Sequence, residues 1–128
     1  MIYGIGTDLV EISRIKNSID QFGDRFLDRI YTKDERNAAA ERDDAVRFYA
    51  LRWAAKEAAW KALSPGYQNG VGWKDLEIQS DEDGKPELIL HGAAAEFFTD
   101  QTDGRGETNI SLSDDGGMAL AFVVLSKR

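Results

Sequence analysis

Apolar residues recur at three- and four-residue steps in the first half of the chain and at two-residue steps in the second. Residues 2–7 read as a short strand carrying Gly4 and Gly6. A glycine inside a strand commonly marks close approach of another backbone or of a ligand. Ile12, Ile15 and Ile19 predict a helix that Gly23 stops. Phe26, Leu27, Ile30 and Tyr31 suit a second short helical piece. Thr32-Lys-Asp-Glu35 has the form of a capping box and should begin a third helix. Asp43 or Asp44 can cap the next, which runs through RFYALRWAAKEAAWKAL and ends before Ser64-Pro65-Gly66. Residues 76–79 alternate, turn through Asp81-Glu-Asp-Gly84-Lys-Pro86 and return over 88–90, a hairpin. Residues 92–101 look helical, with Ala93, Phe97 and Phe98 on the apolar side. Residues 109–113 and 118–125 form a last antiparallel pair through Asp114-Asp-Gly-Gly117. Helices first and strands later predict an α+β fold: an N-terminal strand and helices, with one long buried helix packed on an antiparallel sheet. With no repeat or linker, residues 1–128 read as one domain.

Around the long helix, at 100° per residue, Ala54, Ala55, Ala58, Ala59 and Ala62 cover one broad face, and Trp53 and Trp60 fall near each other on the opposite side. A helix apolar on two faces should be deeply buried. Its charges lie along the seams, Glu57 with Lys61 on one and Arg52 with Lys56 on the other. Ionised groups there are costly unless paired or bound to something charged. The plainest pairing is Glu57 to Lys61, an i, i+4 contact worth a few tenths of a kcal/mol.

Composition narrows the function. With 23 acids against 16 Lys and Arg, the net charge of −7 argues against non-specific nucleic-acid binding. An early stretch holding Arg14, Lys16, Arg25, Arg29 and Lys33 is locally basic, although Asp20, Asp24 and Asp28 dilute it to an ordinary mixed surface. The absence of cysteine excludes disulfides, zinc–thiolate sites and thiol nucleophiles, and fits a reducing compartment. No apolar run reaches membrane-span length, and the opening segment, with Asp8 and Glu11, does not read as a signal peptide. A cytoplasmic protein is expected. At this size part of the apolar surface is expected between subunits.

Asp8 follows the glycine-bearing strand, where an acid is often only a helix N-cap. The Gly4-x-Gly6 pair lacks the third glycine of a dinucleotide fingerprint. One idea unites Asp8 with Glu57: Mg²⁺ favours a few carboxylate oxygens completed by water and phosphate oxygens. Two acids from separate elements with lysine and arginine near them suit a magnesium–pyrophosphate site.

The opening GIGTDLVEISRI, the central RWAAKEAAWKAL, the Gly-Lys-Pro of residues 84–86 and the closing NISLSDDGGMALAFVVL together resemble the acyl-carrier-protein synthase family, the short bacterial type of 4′-phosphopantetheinyl transferase. The resemblance runs through nearly the whole chain in order. It implies transfer of 4′-phosphopantetheine from coenzyme A to a serine of apo acyl carrier protein, releasing 3′,5′-ADP, in fatty acid biosynthesis. By this resemblance Asp8 and Glu57 are the Mg²⁺ ligands and Lys61 contacts the coenzyme phosphates. Arg52 and Lys56 are basic positions near the same ligand, and Gly84 and Pro86 belong to the loop beside the nucleotide. Arg14, Arg25 and Phe26 match the surface that receives the acidic carrier protein. A homotrimer with active sites between subunits is also implied.

The sequence departs from the family pattern at Asn109, where many members carry a histidine, and at Ser113-Asp114, where they carry Ser-His. Asn109 can donate a hydrogen bond to a nucleotide phosphate but carries no charge. An insertion-like segment from Ser64 to Trp73 obscures the pantetheine side of the pocket. His91, the only histidine, lies outside the motifs and reads as structural or exposed. The serine proton could pass to Glu57 or to a metal-bound water. Two other classes compete: a coenzyme A-binding module without transfer, and a Mg²⁺-dependent pyrophosphohydrolase, which usually needs more acids on its catalytic helix than Glu57 alone.

Overall fold

The computed structural model describes residues 1–64 and 70–128. Strand β1 (Ile2–Glu11) leads into helices α1 (Ile12–Phe22), α2 (Asp24–Ile30), α3 (Lys33–Ala40) and α4 (Ala45–Leu63). A 3-10 turn (Trp73–Asp75), strands β2 (Leu76–Ser80) and β3 (Pro86–Leu90), helix α5 (Gly92–Thr102) and strands β4 (Gly106–Asp115) and β5 (Met118–Lys127) complete the order. β2 and β3 form a two-stranded antiparallel sheet, and the other three strands form an antiparallel sheet in the order β1-β5-β4.

Local signals set the helix ends. Gly23 takes a φ of 56°, which releases the chain from α1 into α2. Both bonds of the Thr32–Glu35 capping box are made. Asp44 accepts from the Arg47 backbone N–H at 3.0 Å and starts α4. The β4–β5 connection turns through Gly116 and Gly117, whose φ values of 56° and 79° suit a tight hairpin.

The pairing of β1 with β5 joins the two ends of the chain and follows from no local pattern. β1 is also longer than the expected strand over residues 2–7. Its alternation continues through Val10, which is buried, so Asp8 is a strand residue opposite Ala121. The N-cap of α1 is Glu11, not Asp8, and its side chain makes no capping bond.

Helix α4 lies across the inner face of the larger sheet. Gly4 and Gly6 meet it directly: a Cβ at Gly4 would overlap the Ala62 carbonyl, and one at Gly6 the Ala58 carbonyl. The alanine face and the strand glycines are thus two halves of one close backbone contact. Ala119, Ala121, Val123 and Leu125 of β5 finish this layer and are fully buried. The outer face differs sharply. Ile5, Leu9, Leu120 and Phe122 are 53%, 60%, 42% and 42% exposed, forming an apolar band across β1 and β5.

Candidate active site

Alternation along β1 carries Gly4, Gly6, Asp8 and Val10 to the side that meets α4. The glycines let the strand sit against the helix backbone, so Asp8 arrives beside the helix rather than a side-chain layer away. Glu57 and Lys61, one turn apart, look back at it. Lys61 Nζ donates to the Thr7 carbonyl at 2.9 Å and to Asp8 Oδ1 at 3.3 Å. The expected Glu57–Lys61 ion pair is therefore replaced by one between Lys61 and Asp8, because the strand offers two acceptors on one side of the ammonium. Burial first, and the nearby Asp8 second, push the Glu57 carboxyl above the usual carboxylate range. Lys61 and Arg14 oppose this as charges. Two repelling carboxylates, one of them half-buried, form a donor set that a divalent cation would relieve. Among the described residues no group of three or more His, Cys, Asp or Glu is placed to hold a metal ion. Two protein oxygen ligands leave positions for water and phosphate oxygens, the arrangement Mg²⁺ prefers.

A second cluster lies on another flank of α4. Arg52 is only 7% exposed, stacks its guanidinium 3.9 Å from the Phe48 ring centre and donates to Ser80 Oγ at 3.1 Å. Its Nε has no partner among the described residues. Burial lowers its pKa to about 10, against the pull of Glu35. Arg52 lines a cavity of about 420 Å³ together with Ser80, Gly84, Lys85 and Pro86. Arg47 and Asp114 close one side with a two-point ion pair, at 2.9 Å and 2.6 Å. The fold thus brings Arg52 together with Gly84 and Pro86. The Arg47–Asp114 pairing was not foreseen, since a contact across 67 positions has no local signature. Asn109 is exposed on β4 and lines an adjacent hollow with Lys85 and Pro86.

Across nearly its whole length the chain is similar to curated holo-[acyl-carrier-protein] synthases. One from Geobacter sp. (strain M21) is 44% identical, the match covering 99% of this chain and 100% of that protein. Residues 4–120 match the model of the 4′-phosphopantetheinyl transferase superfamily. The chain belongs to this superfamily. Solved structures agree with that placement. The crystal structure of holo-[acyl-carrier-protein] synthase from Neisseria meningitidis superposes with a TM-score of 0.89 at 38% identity, covering 99% of this chain and 100% of the other. A Chronobacterium ammoniagenes synthase–CoA complex gives 0.84 at 29% identity, covering 98% and 97%.

For this member of the transferase superfamily, one expected site residue moves out of the site. Lys56 is fully buried, and its ammonium is held by Glu35 Oε1 at 2.8 Å, the Leu76 carbonyl at 2.7 Å and the Trp73 carbonyl at 3.0 Å. Three acceptors account for its three N–H donors, so none is left for a phosphate. Phe26 is half-buried and stacks on Trp53 at 5.8 Å, in an aromatic cluster with Trp73 and Trp60. Arg14 and Arg25 are exposed, and so is Phe22, an apolar surface residue that the sequence reading missed. His91 is half-exposed and bonds Glu77 at 3.0 Å, in keeping with a structural part. The insertion-like segment expected from Ser64 to Trp73 lies partly outside the described residues.

Proposed function

We propose that this protein transfers 4′-phosphopantetheine from coenzyme A to a serine of an acyl carrier protein, as a holo-[acyl-carrier-protein] synthase. The juxtaposition of Asp8, Glu57 and Lys61 at the β1–α4 contact carries the reading. The similarity to named synthases supplies the substrates. Asp8 and Glu57 would hold Mg²⁺, which when bound supplies charge neutralisation and Lewis acidity at the pyrophosphate. The carrier serine oxygen attacks the β-phosphorus, forming one P–O bond as the bond to the bridging oxygen breaks, and 3′,5′-ADP leaves. Lys61 Nζ, beside Asp8, would donate to the departing phosphate oxygens, the kind of contact that strengthens as charge develops. Glu57 Oε takes the serine proton. Lys61 and Arg14 act on Glu57 as charges, and the proton would go to the carboxylate oxygen that does not hold the cation.

The nucleotide end is assigned to the cavity of Arg52, Gly84 and Pro86. Arg52 and Glu57 stand five residues apart on α4, about 140° around its axis, and so serve different flanks. One coenzyme reaching both kinds of site is more simply accommodated across two copies of the chain. The exposed apolar band of Ile5, Leu9, Leu120 and Phe122 supplies a surface for such an assembly. A homotrimer with inter-subunit sites is therefore part of the proposal. The exposed Arg14 and Arg25 would receive the acidic carrier protein, with Phe26 backing that surface from the aromatic cluster. No helix among the described residues is long and apolar enough to cross a membrane.

The test is to mix the protein with apo carrier protein, coenzyme A and Mg²⁺ and to weigh the carrier by mass spectrometry. A phosphopantetheine mass gain on serine is expected. Free pantetheine phosphate with unlabelled carrier would instead indicate a hydrolase. No change in either would indicate a binding module.

A further inference from the structure

Helix α4 has small side chains against β1 and β5: Ala54, Ala55, Ala58, Ala59 and Ala62 are 0–3% exposed. Such a face permits close approach, but apolar contact is non-directional. The alanine face and the strand glycines set how closely the helix approaches the sheet, while directional polar bonds fix how far it is turned about its axis. The turn matters, because Glu57 meets Asp8 in only one rotational setting.

Arg47, Arg52 and Lys61 each make directional bonds from α4, and the most deeply buried contact of this kind lies one residue before Glu57. Lys56 Nζ is held by three acceptors from two other parts of the chain: Glu35 of α3, and the Trp73 and Leu76 carbonyls at the entry to β2. Glu35 is itself fixed. Its Oε1 accepts from the Thr32 backbone N–H at 2.8 Å and its Oε2 from the Ile78 backbone N–H at 3.0 Å. One buried carboxylate thus ties the start of α3, strand β2 and helix α4 together. The side chains of Lys56 and Glu35 are 1% and 0% exposed, so neither meets solvent or ligand. Turning α4 by one residue would carry the ammonium off its acceptors and leave Glu35 charged and unpaired, a severe penalty.

We propose that the buried Lys56–Glu35 pair is a positioning device for the transfer reaction, fixing the rotation of α4 so that Glu57 stands opposite Asp8. The inference rests on the proposed function and adds residues that touch neither substrate nor cation. The charges acting on Glu57 are Asp8, Lys61 and Arg14, so the pair works through helix placement rather than through its own field.

The test compares wild type with the double variant Lys56→Met plus Glu35→Gln, which removes both charges and leaves no lone buried ion. Direct Mn²⁺ binding is followed by electron paramagnetic resonance, alongside kcat and the carrier KM. With the fold retained by circular dichroism, Mn²⁺ affinity and kcat should each fall by about tenfold or more, while carrier KM stays within about threefold. A purely structural role would lower the active fraction and leave cation affinity unchanged. Glu35→Asp provides a second route if the double variant does not fold. It keeps the charge but withdraws the acceptor, and a fall of about threefold or more in both quantities is expected. Wild-type Mn²⁺ affinity and kcat in a folded variant would overturn the inference. A wild-type protein without transfer activity would overturn the functional reading instead.

Discussion

Lys56 and Glu57 are neighbours in the chain and opposites in the fold. The cluster around Lys56 is sealed: every donor of its ammonium has an acceptor, and its carboxylate partner Glu35 accepts two further backbone bonds. The cluster around Glu57 is open. Its carboxylate is half-buried and repelled by Asp8, while Lys61, itself about half exposed, is shared between Asp8 and a strand carbonyl. Both clusters contain a lysine and glutamate chemistry, so residue type does not separate structure from function. What separates them is whether the charges are already satisfied within the chain. A satisfied buried cluster holds elements in register, and an unsatisfied, accessible one is available to a ligand.

The largest contrast should come from deleting carboxylates of the open cluster. Asp8→Ala and Glu57→Ala should each lower kcat/KM by about a thousandfold or more, with melting curves near wild type. Near-normal turnover in either would remove that residue from the reactive centre. The two lysines should then divide cleanly. Lys56→Met alone strands Glu35 in the core and should cost about 3–5 kcal/mol in urea unfolding. Lys61→Met breaks a half-exposed pair and should cost under about 1 kcal/mol, yet slow turnover by about a hundredfold. Equal stability losses for the two would erase the distinction between the clusters.

Smaller effects sharpen the electrostatics. Arg14→Glu should raise the carrier KM by about tenfold at low salt, and added salt should shrink the difference. Finally, the folded Glu57 carboxyl keeps its proton to higher pH than the unfolded one, whose value is 4.5. Stability therefore falls as pH rises through the window above 4.5, and the cost is fully present once Glu57 is ionised. In metal-free protein Glu57→Gln should raise Tm at neutral pH by roughly 1–3 °C, an advantage that fades in acid. An unchanged Tm would mean that neither burial nor Asp8 disfavours the ionised Glu57 carboxylate.

Much of this was legible because it is local or compositional. The Thr32–Glu35 box, the Asp44 cap and the alanine face of α4 are short-range patterns, and each appears in the fold. Gly4 and Gly6 announced close approach of a backbone or a ligand, and the backbone of α4 is what approaches. The sequence left Lys56 beside Arg52 on a polar seam. It could not reveal that Glu35, 21 positions earlier, and two carbonyls about 20 positions later would converge on that ammonium. The Arg47–Asp114 clasp and the β1–β5 pairing were hidden for the same reason. Lys61 shows the reverse error: helical spacing favoured Glu57, but tertiary packing delivered Asp8 and the Thr7 carbonyl.

The most direct test of the open cluster is a crystal structure of the protein with coenzyme A and Mg²⁺. One ion should be bound at about 2.1 Å by a carboxylate oxygen from Asp8 and another from Glu57, with pyrophosphate oxygens completing the shell. An ion held elsewhere, with either of these carboxylates outside its coordination sphere, would contradict the account.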